Sequence, residues 1–128
     1  MKKQIADIAA SERELLSRIM RYPAAFFGCA RISAFKYFTC GHNAALVYLN
    51  EYSNHHLIPE GFNEYVAMQI LGHDGTVLDW SNLILQKEPD EEKALDTFFE
   101  MLNQYLTENG YLPIEPYIPE IIPELPHS

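Results

Sequence analysis

Beyond residue 36 the chain has almost no positive charge. Only Lys87 and Lys93 occur there, and residues 37–86 contain neither Lys nor Arg. Neutralising a phosphate backbone needs clustered cations, so this scarcity excludes a nucleic-acid-binding surface over most of the molecule. Long apolar runs are also missing. None approaches the roughly 20 residues that a bilayer-spanning helix needs. The start, Met1-Lys2-Lys3-Gln4-Ile5-Ala6-Asp7, opens like a secretion signal. Asp7, Glu12, Arg13 and Glu14 then interrupt the apolar stretch that such a signal requires. The expected location is the cytoplasm, with no membrane contact. Cysteine is scarce as well. Cys29 and Cys40, without a secretory signal, read as reduced thiols that behave as small hydrophobes.

What is present is acidic and apolar. Residues 1–36 carry seven Lys/Arg and three Asp/Glu, a net of +4, whereas residues 37–128 carry fifteen Asp/Glu and a net of −13. Such a surface attracts basic partners and speeds encounter with them. Hydrophobic residues make up 48% of the 128 positions, enough for the core of one domain and too many for a disordered chain.

The apolar spacing predicts a mainly α fold: a single-domain helical bundle over residues 1–110, followed by an extended proline-rich tail over 111–128. Ser11-Glu12-Arg13-Glu14 has the form of a capping box. Leu15, Leu16, Ile19 and Met20 continue at helical spacing, and Pro23 stops that helix. Residues 22–31 read as an apolar connector. From Ser33 to Tyr52, Phe35, Phe38, Ala45, Leu46 and Leu49 fit a helix better than an alternating strand. Tyr37, Phe38 and Thr39 nonetheless favour strands. Gly41 costs a helix interior about 1 kcal/mol, and would let another helix approach closely. Phe62, Tyr65, Val66 and Ile70 trace a short helix stopped at Gly72. Asp74-Gly75 marks a turn. Val77–Leu85 fits either a short helix or a strand. Pro89-Asp90 opens the clearest helix, with Leu95, Phe98, Phe99, Leu102 and Leu106 as its inner stripe and Asn109-Gly110 as its stop. In the tail, Pro113, Pro116, Pro119, Pro123 and Pro126 exclude a helix. Tyr111, Ile114, Tyr117, Ile118, Ile121, Ile122 and Leu125 are too apolar for a solvated tail and favour a strap packed on the domain, the alternative being a segment that docks into a partner.

Catalytic and cofactor signatures are sparse. There is no Walker loop, no Gly-x-Gly-x-x-Gly and no Gly-x-Ser-x-Gly elbow, and no cofactor is expected. His42, His55, His56, His73 and His127 match no zinc spacing, so no metal site is assigned. Cys40 with His42 or His73 would make a nucleophile–base pair only with a depressed thiol pKa, which a region without cations disfavours. One acidic pattern stands out. Glu92, Asp96 and Glu100 recur at i, i+4 and i+8 on one helix face, an arrangement that costs an isolated helix about 0.2–0.5 kcal/mol per like-charged pair. With Asp79, Glu88, Asp90 and Glu91 they form a negative ridge, and Trp80 is a candidate aromatic anchor beside it. A solubilising face is the alternative to a docking surface.

These segments also resemble a known family. Arg21-Tyr22-Pro23 through Gly28, Phe35 through Gly41, Gly61-Phe62-Asn63-Glu64-Tyr65-Val66, Asp79-Trp80-Ser81, Asp90-Glu91-Glu92-Lys93-Ala94-Leu95 and Phe98-Phe99 together resemble the immunity proteins of bacterial contact-dependent growth inhibition (CDI) systems of enterobacterial type. The resemblance implies a cytoplasmic protein without enzymatic activity. Such a protein binds and neutralises the C-terminal toxin domain of a surface-displayed effector. Many of these toxins are nucleases that cut tRNA or DNA, and some need a host enzyme such as cysteine synthase, which would allow a three-component complex. The charge pattern agrees, because a nuclease site is basic and carboxylates can cover it. Steering by charge lifts association from about 10⁵–10⁶ towards about 10⁸ M⁻¹s⁻¹ at low salt. Two other classes stay open: a small enzyme using Cys40, His42, His73 or paired carboxylates, and an acidic adaptor for a basic protein.

Overall fold

Six helices and no strand make up the described part of the chain in a computed structural model that describes residues 5–50 and 55–119. The mainly α single-domain bundle expected from periodicity is observed. The helices are α1 (Ala10–Arg21), α2 (Pro23–Phe27), α3 (Ile32–Tyr48), α4 (Phe62–Leu71), α5 (Trp80–Lys87) and α6 (Glu91–Glu108). Among the described residues, no helix is long and apolar enough to cross a membrane.

The inner stripe of α6 is the centre of the core. Leu95, Phe98, Phe99, Leu102 and Leu106 are all buried, as their spacing predicts. Phe98 meets Phe35 of α3 at 4.8 Å, Phe62 of α4 at 5.5 Å and Trp80 of α5 at 4.9 Å between ring centroids. Four helices therefore converge on one aromatic cluster. Offset and edge contacts of this kind add about 0.5–1.5 kcal/mol per pair beyond area burial.

Both ambiguous segments are helical. In α3, burial of Ile32, Phe35, Thr39 and Leu46 overrides the strand preference of Tyr37-Phe38-Thr39. Gly41 serves no close approach, since a Cβ there would meet nothing within 4 Å. Ala45 and Leu49, expected on the inner face, are exposed. Residues 80–87 form α5 because Asp79 caps it, accepting from the Asn82 amide at 2.9 Å. Asn63 of α4 then fixes where α5 starts. Its side chain accepts from the Trp80 amide at 2.6 Å and donates to the Leu78 carbonyl at 3.2 Å.

The predicted capping box does not form. Helix α1 begins at Ala10 with Ala9 as its N-cap, so Ser11 already lies inside the helix. The Ser11 hydroxyl instead donates to the Glu12 carboxylate at 2.6 Å, and His55 Nδ1 meets the same carboxylate at 2.6 Å. A buried carboxylate needs partners, and this tertiary one displaces the local cap. The connector after α1 contains α2, closed by Gly28 in the left-handed conformation (φ +82°).

Residues 111–119 run extended over α1 and α6. Ile114 is buried, and its amide and carbonyl both bond the Asn103 side chain, at 2.7 and 2.9 Å. Arg13 donates to the Leu112 carbonyl at 2.8 Å and Ser17 to the Glu115 carbonyl at 2.6 Å. The Arg18 guanidinium lies 4.2 Å over the Tyr117 ring. Ile121, Ile122, Pro123, Leu125 and Pro126 of the proposed strap lie outside the described residues.

Candidate acidic binding surface

The eight residues of the expected acidic site divide into three groups once packed. Trp80 belongs to the core. It is 5% exposed and packs on Phe35, Phe62 and Phe98, with Lys36 Nζ 5.2 Å above its ring. The expectation that it anchors a partner is corrected, because packing on side chains of α3, α4 and α6 buries it.

Asp79, Glu88, Asp90 and Glu91 form the second group, whose carboxylates are engaged within the fold. Asp79 accepts from the Ser81 hydroxyl at 2.6 Å and pairs with Lys36 at 2.9 Å. Burial raises its pKa, but the Ser81, Asn82 and Lys36 contacts outweigh burial and hold the carboxyl below its ordinary value. Glu91 accepts from the Ser33 amide at 3.0 Å in the first turn of α3, where the helix end is positive. Its pKa is lowered, chiefly by hydrogen bonding from Ser33. Asp90 caps α6 by accepting from the amides of Glu92 and Lys93 at 3.0 and 3.1 Å. Glu88 accepts from the Asp90 amide at 3.2 Å.

Glu92, Asp96 and Glu100 make up the third group. All three are exposed on one face of α6, and among the described residues none has an ion pair or a side-chain hydrogen bond. Lys93, the neighbouring cation, is not paired with them either. The same i+4 row continues through exposed Gln104 and Glu108. From Glu92 to Glu108 it runs about 24 Å along the helix axis. Glu92, Asp96 and Glu100 are the part of the predicted ridge that, among the described residues, is left free to meet a partner.

The row ends at a cavity of about 780 Å³ between α4 and the end of α6. Glu60, Glu64, Asp74 and Glu108 line it with Tyr65, Tyr105 and Met68, and among the described residues no Lys or Arg lines it. The expected ridge stops at Glu100, although the same i+4 spacing leads on to Gln104 and Glu108. The α4 side of the cavity had no such signal, because Glu60, Glu64 and Asp74 join Glu108 only through packing.

Among the described residues, Cys40, His42 and His73 are not joined to one another by hydrogen bonds. His42 Nε2 bonds the His55 carbonyl at 3.1 Å, and His73 Nδ1 accepts from the Gly75 amide at 3.2 Å. Cys40 is exposed on α3 and hydrogen-bonds neither histidine. Among the described residues, no three His, Cys, Asp or Glu side chains converge as a metal site would require. Compared with protein families, curated proteins and solved structures, the chain matches none.

Proposed function

We propose that this chain is an immunity protein of a contact-dependent growth inhibition system, acting in the cytoplasm on the nuclease toxin domain of its cognate effector. The observation that carries the reading is the unpaired acidic row of α6. Its three like charges cost the helix stability, and among the described residues none of them is paired. A carboxylate row on a rigid helix can lie where a nuclease would hold successive phosphates. The net charge of −9 adds long-range attraction to a basic toxin. The resemblance, which covers roughly residues 15–106, supports the same partner class.

The test is co-expression with the toxin domain encoded beside the gene. Wild-type protein is expected to restore growth. The triple variant E92K/D96K/E100K, folded as judged by circular dichroism, is expected to lose protection and to bind the purified toxin more slowly. Full protection by the folded triple variant would remove the α6 row from the interface.

A further inference from the structure

The cavity at the end of the α6 row differs from the row itself in having aromatic walls. Tyr65 and Tyr105 stand with ring centroids 4.9 Å apart and planes inclined by 39°. Tyr105 is held from behind. Its hydroxyl donates to the Glu60 carbonyl at 2.7 Å, and it also lies against the Cα of Gly61, where a methyl group would strike the hydroxyl oxygen. Tyr65 is half-buried, and its hydroxyl lies 3.4 Å from both Gln104 and Glu108. Glu60, Glu64, Asp74 and Glu108 are exposed around these rings. Their field reaches the phenols. Burial raises both tyrosine pKa values, and Glu108 at Tyr65, with Glu64 and Glu60 at Tyr105, raises them further.

We propose that this cavity is a receptor site for a guanidinium group, the arginine side chain of the basic partner that the α6 row attracts. The choice of a protein partner rests on the function proposed above; the chemistry of the cavity does not. An anion is repelled by four carboxylates. An uncharged ligand would desolvate them without compensation. A bare metal ion needs ligands that converge, and no three of these carboxylates do so. What remains is a larger organic cation that reaches separated carboxylates and covers an aromatic face. Guanidinium fits both demands. It is planar, it stacks on tyrosine, it is weakly hydrated, and its fork of donors pairs with carboxylates on different walls. An ammonium group is a compact, strongly hydrated point charge and gains less from the rings. The volume falls in the range of ordinary ligand pockets and leaves room for bridging water around one side chain.

The experiment uses the full chain without toxin. Amide resonances are followed during titration with N-acetyl-arginine amide, N-acetyl-lysine amide and N-acetyl-citrulline amide, the last being the uncharged near-isostere of arginine. Saturable shifts centred on Gly61, Tyr65 and Asn109 are expected with the arginine probe at millimolar affinity. Affinity for the citrulline probe is expected to be at least about tenfold weaker. The E64Q/E108Q variant changes only exposed side chains, so it keeps its fold and is expected to lose at least about tenfold in arginine affinity. Equal binding of the citrulline probe would overturn the inference, as would equal binding of the lysine probe. Shifts spread evenly along α6 without saturation would also overturn it, since they report only diffuse attraction. The two proposals fail separately. Toxin neutralisation that survives in E64Q/E108Q, after the arginine titration has failed, leaves the α6 row as the interface. Arginine binding that survives in E92K/D96K/E100K without loss of protection sinks the row and not the cavity.

Discussion

On α1, Arg13 holds Asp7 at 2.7 Å and the Leu112 carbonyl at 2.8 Å, while Arg18 holds Glu14 at 2.9 Å and stacks on Tyr117. On α6, Glu92, Asp96 and Glu100 have no ionic partner among the described residues. The two helices have similar amphipathic patterns, yet their charges do different work. The cations of the N-terminal third fasten α1 to the extended strap, and Lys36 fastens α3 to α5 through Asp79. Among the described residues, Glu92, Asp96 and Glu100 of α6 fasten nothing. Charge that a fold consumes in this way is unavailable for encounter. Charge that it leaves unpaired projects a field. The overall negative balance therefore matters less than where the unpaired part of it lies.

The largest difference between the two helices is expected in association kinetics. E92K/D96K/E100K should slow toxin association at low salt by about a hundredfold, within the range that electrostatic steering supplies. R13Q/R18Q should leave the rate unchanged or slightly faster. Stopped-flow measurements at two ionic strengths check both, and equal slowing in the two variants would erase the distinction. The next effect is on stability and runs the other way. Asp79→Ala removes a helix cap together with the partner of Lys36, and should cost about 1–2 kcal/mol in urea denaturation. Asp96→Ala, from the free row, should stay within about 0.5 kcal/mol of wild type. A large loss at Asp96 would mean that the row is structural after all.

Acid should separate the same two regions by a smaller margin. Glu12 is buried, which raises its pKa, yet the Ser11 and His55 contacts bring it below its ordinary value, and Asp79 is lowered likewise. A depressed folded-state pKa contributes stability that is fully present above the unfolded-state values, about 3.9 for Asp and 4.3 for Glu. That contribution is lost as pH falls through the folded values. Urea midpoints should therefore drop on acidification below about pH 4. The drop should shrink in Asp79→Asn, whereas the neutral variant E92Q/D96N/E100Q keeps the Glu12 and Asp79 contacts and should still show a drop. The smallest effect belongs to that neutral triple variant at pH 7. Relieving two like-charged i, i+4 pairs should raise stability by about 0.4–1 kcal/mol, measurable as a higher urea midpoint.

Sequence alone determined the inner face of α6, its cap at Asp90 and its stop at Asn109-Gly110. Local rules of periodicity and capping suffice there, and burial of Leu95, Phe98, Phe99, Leu102 and Leu106 follows. It also determined that Glu92, Asp96 and Glu100 share a face, because 3.6 residues per turn requires it. Tertiary structure decided which charges remain free. Asp79 and Glu91 look like Glu92 in a one-dimensional reading, and only packing brings Lys36 to the first and the Ser33 amide to the second. Packing also moved Trp80 inside, replaced the Ser11 cap with a Glu12–His55 contact, made helices of residues 32–48 and 80–87, and joined Glu64 to Glu108 around two tyrosines. The physical reason is common to all of these. Periodicity is a property of neighbours in the chain, whereas burial and ion pairing depend on residues tens of positions apart.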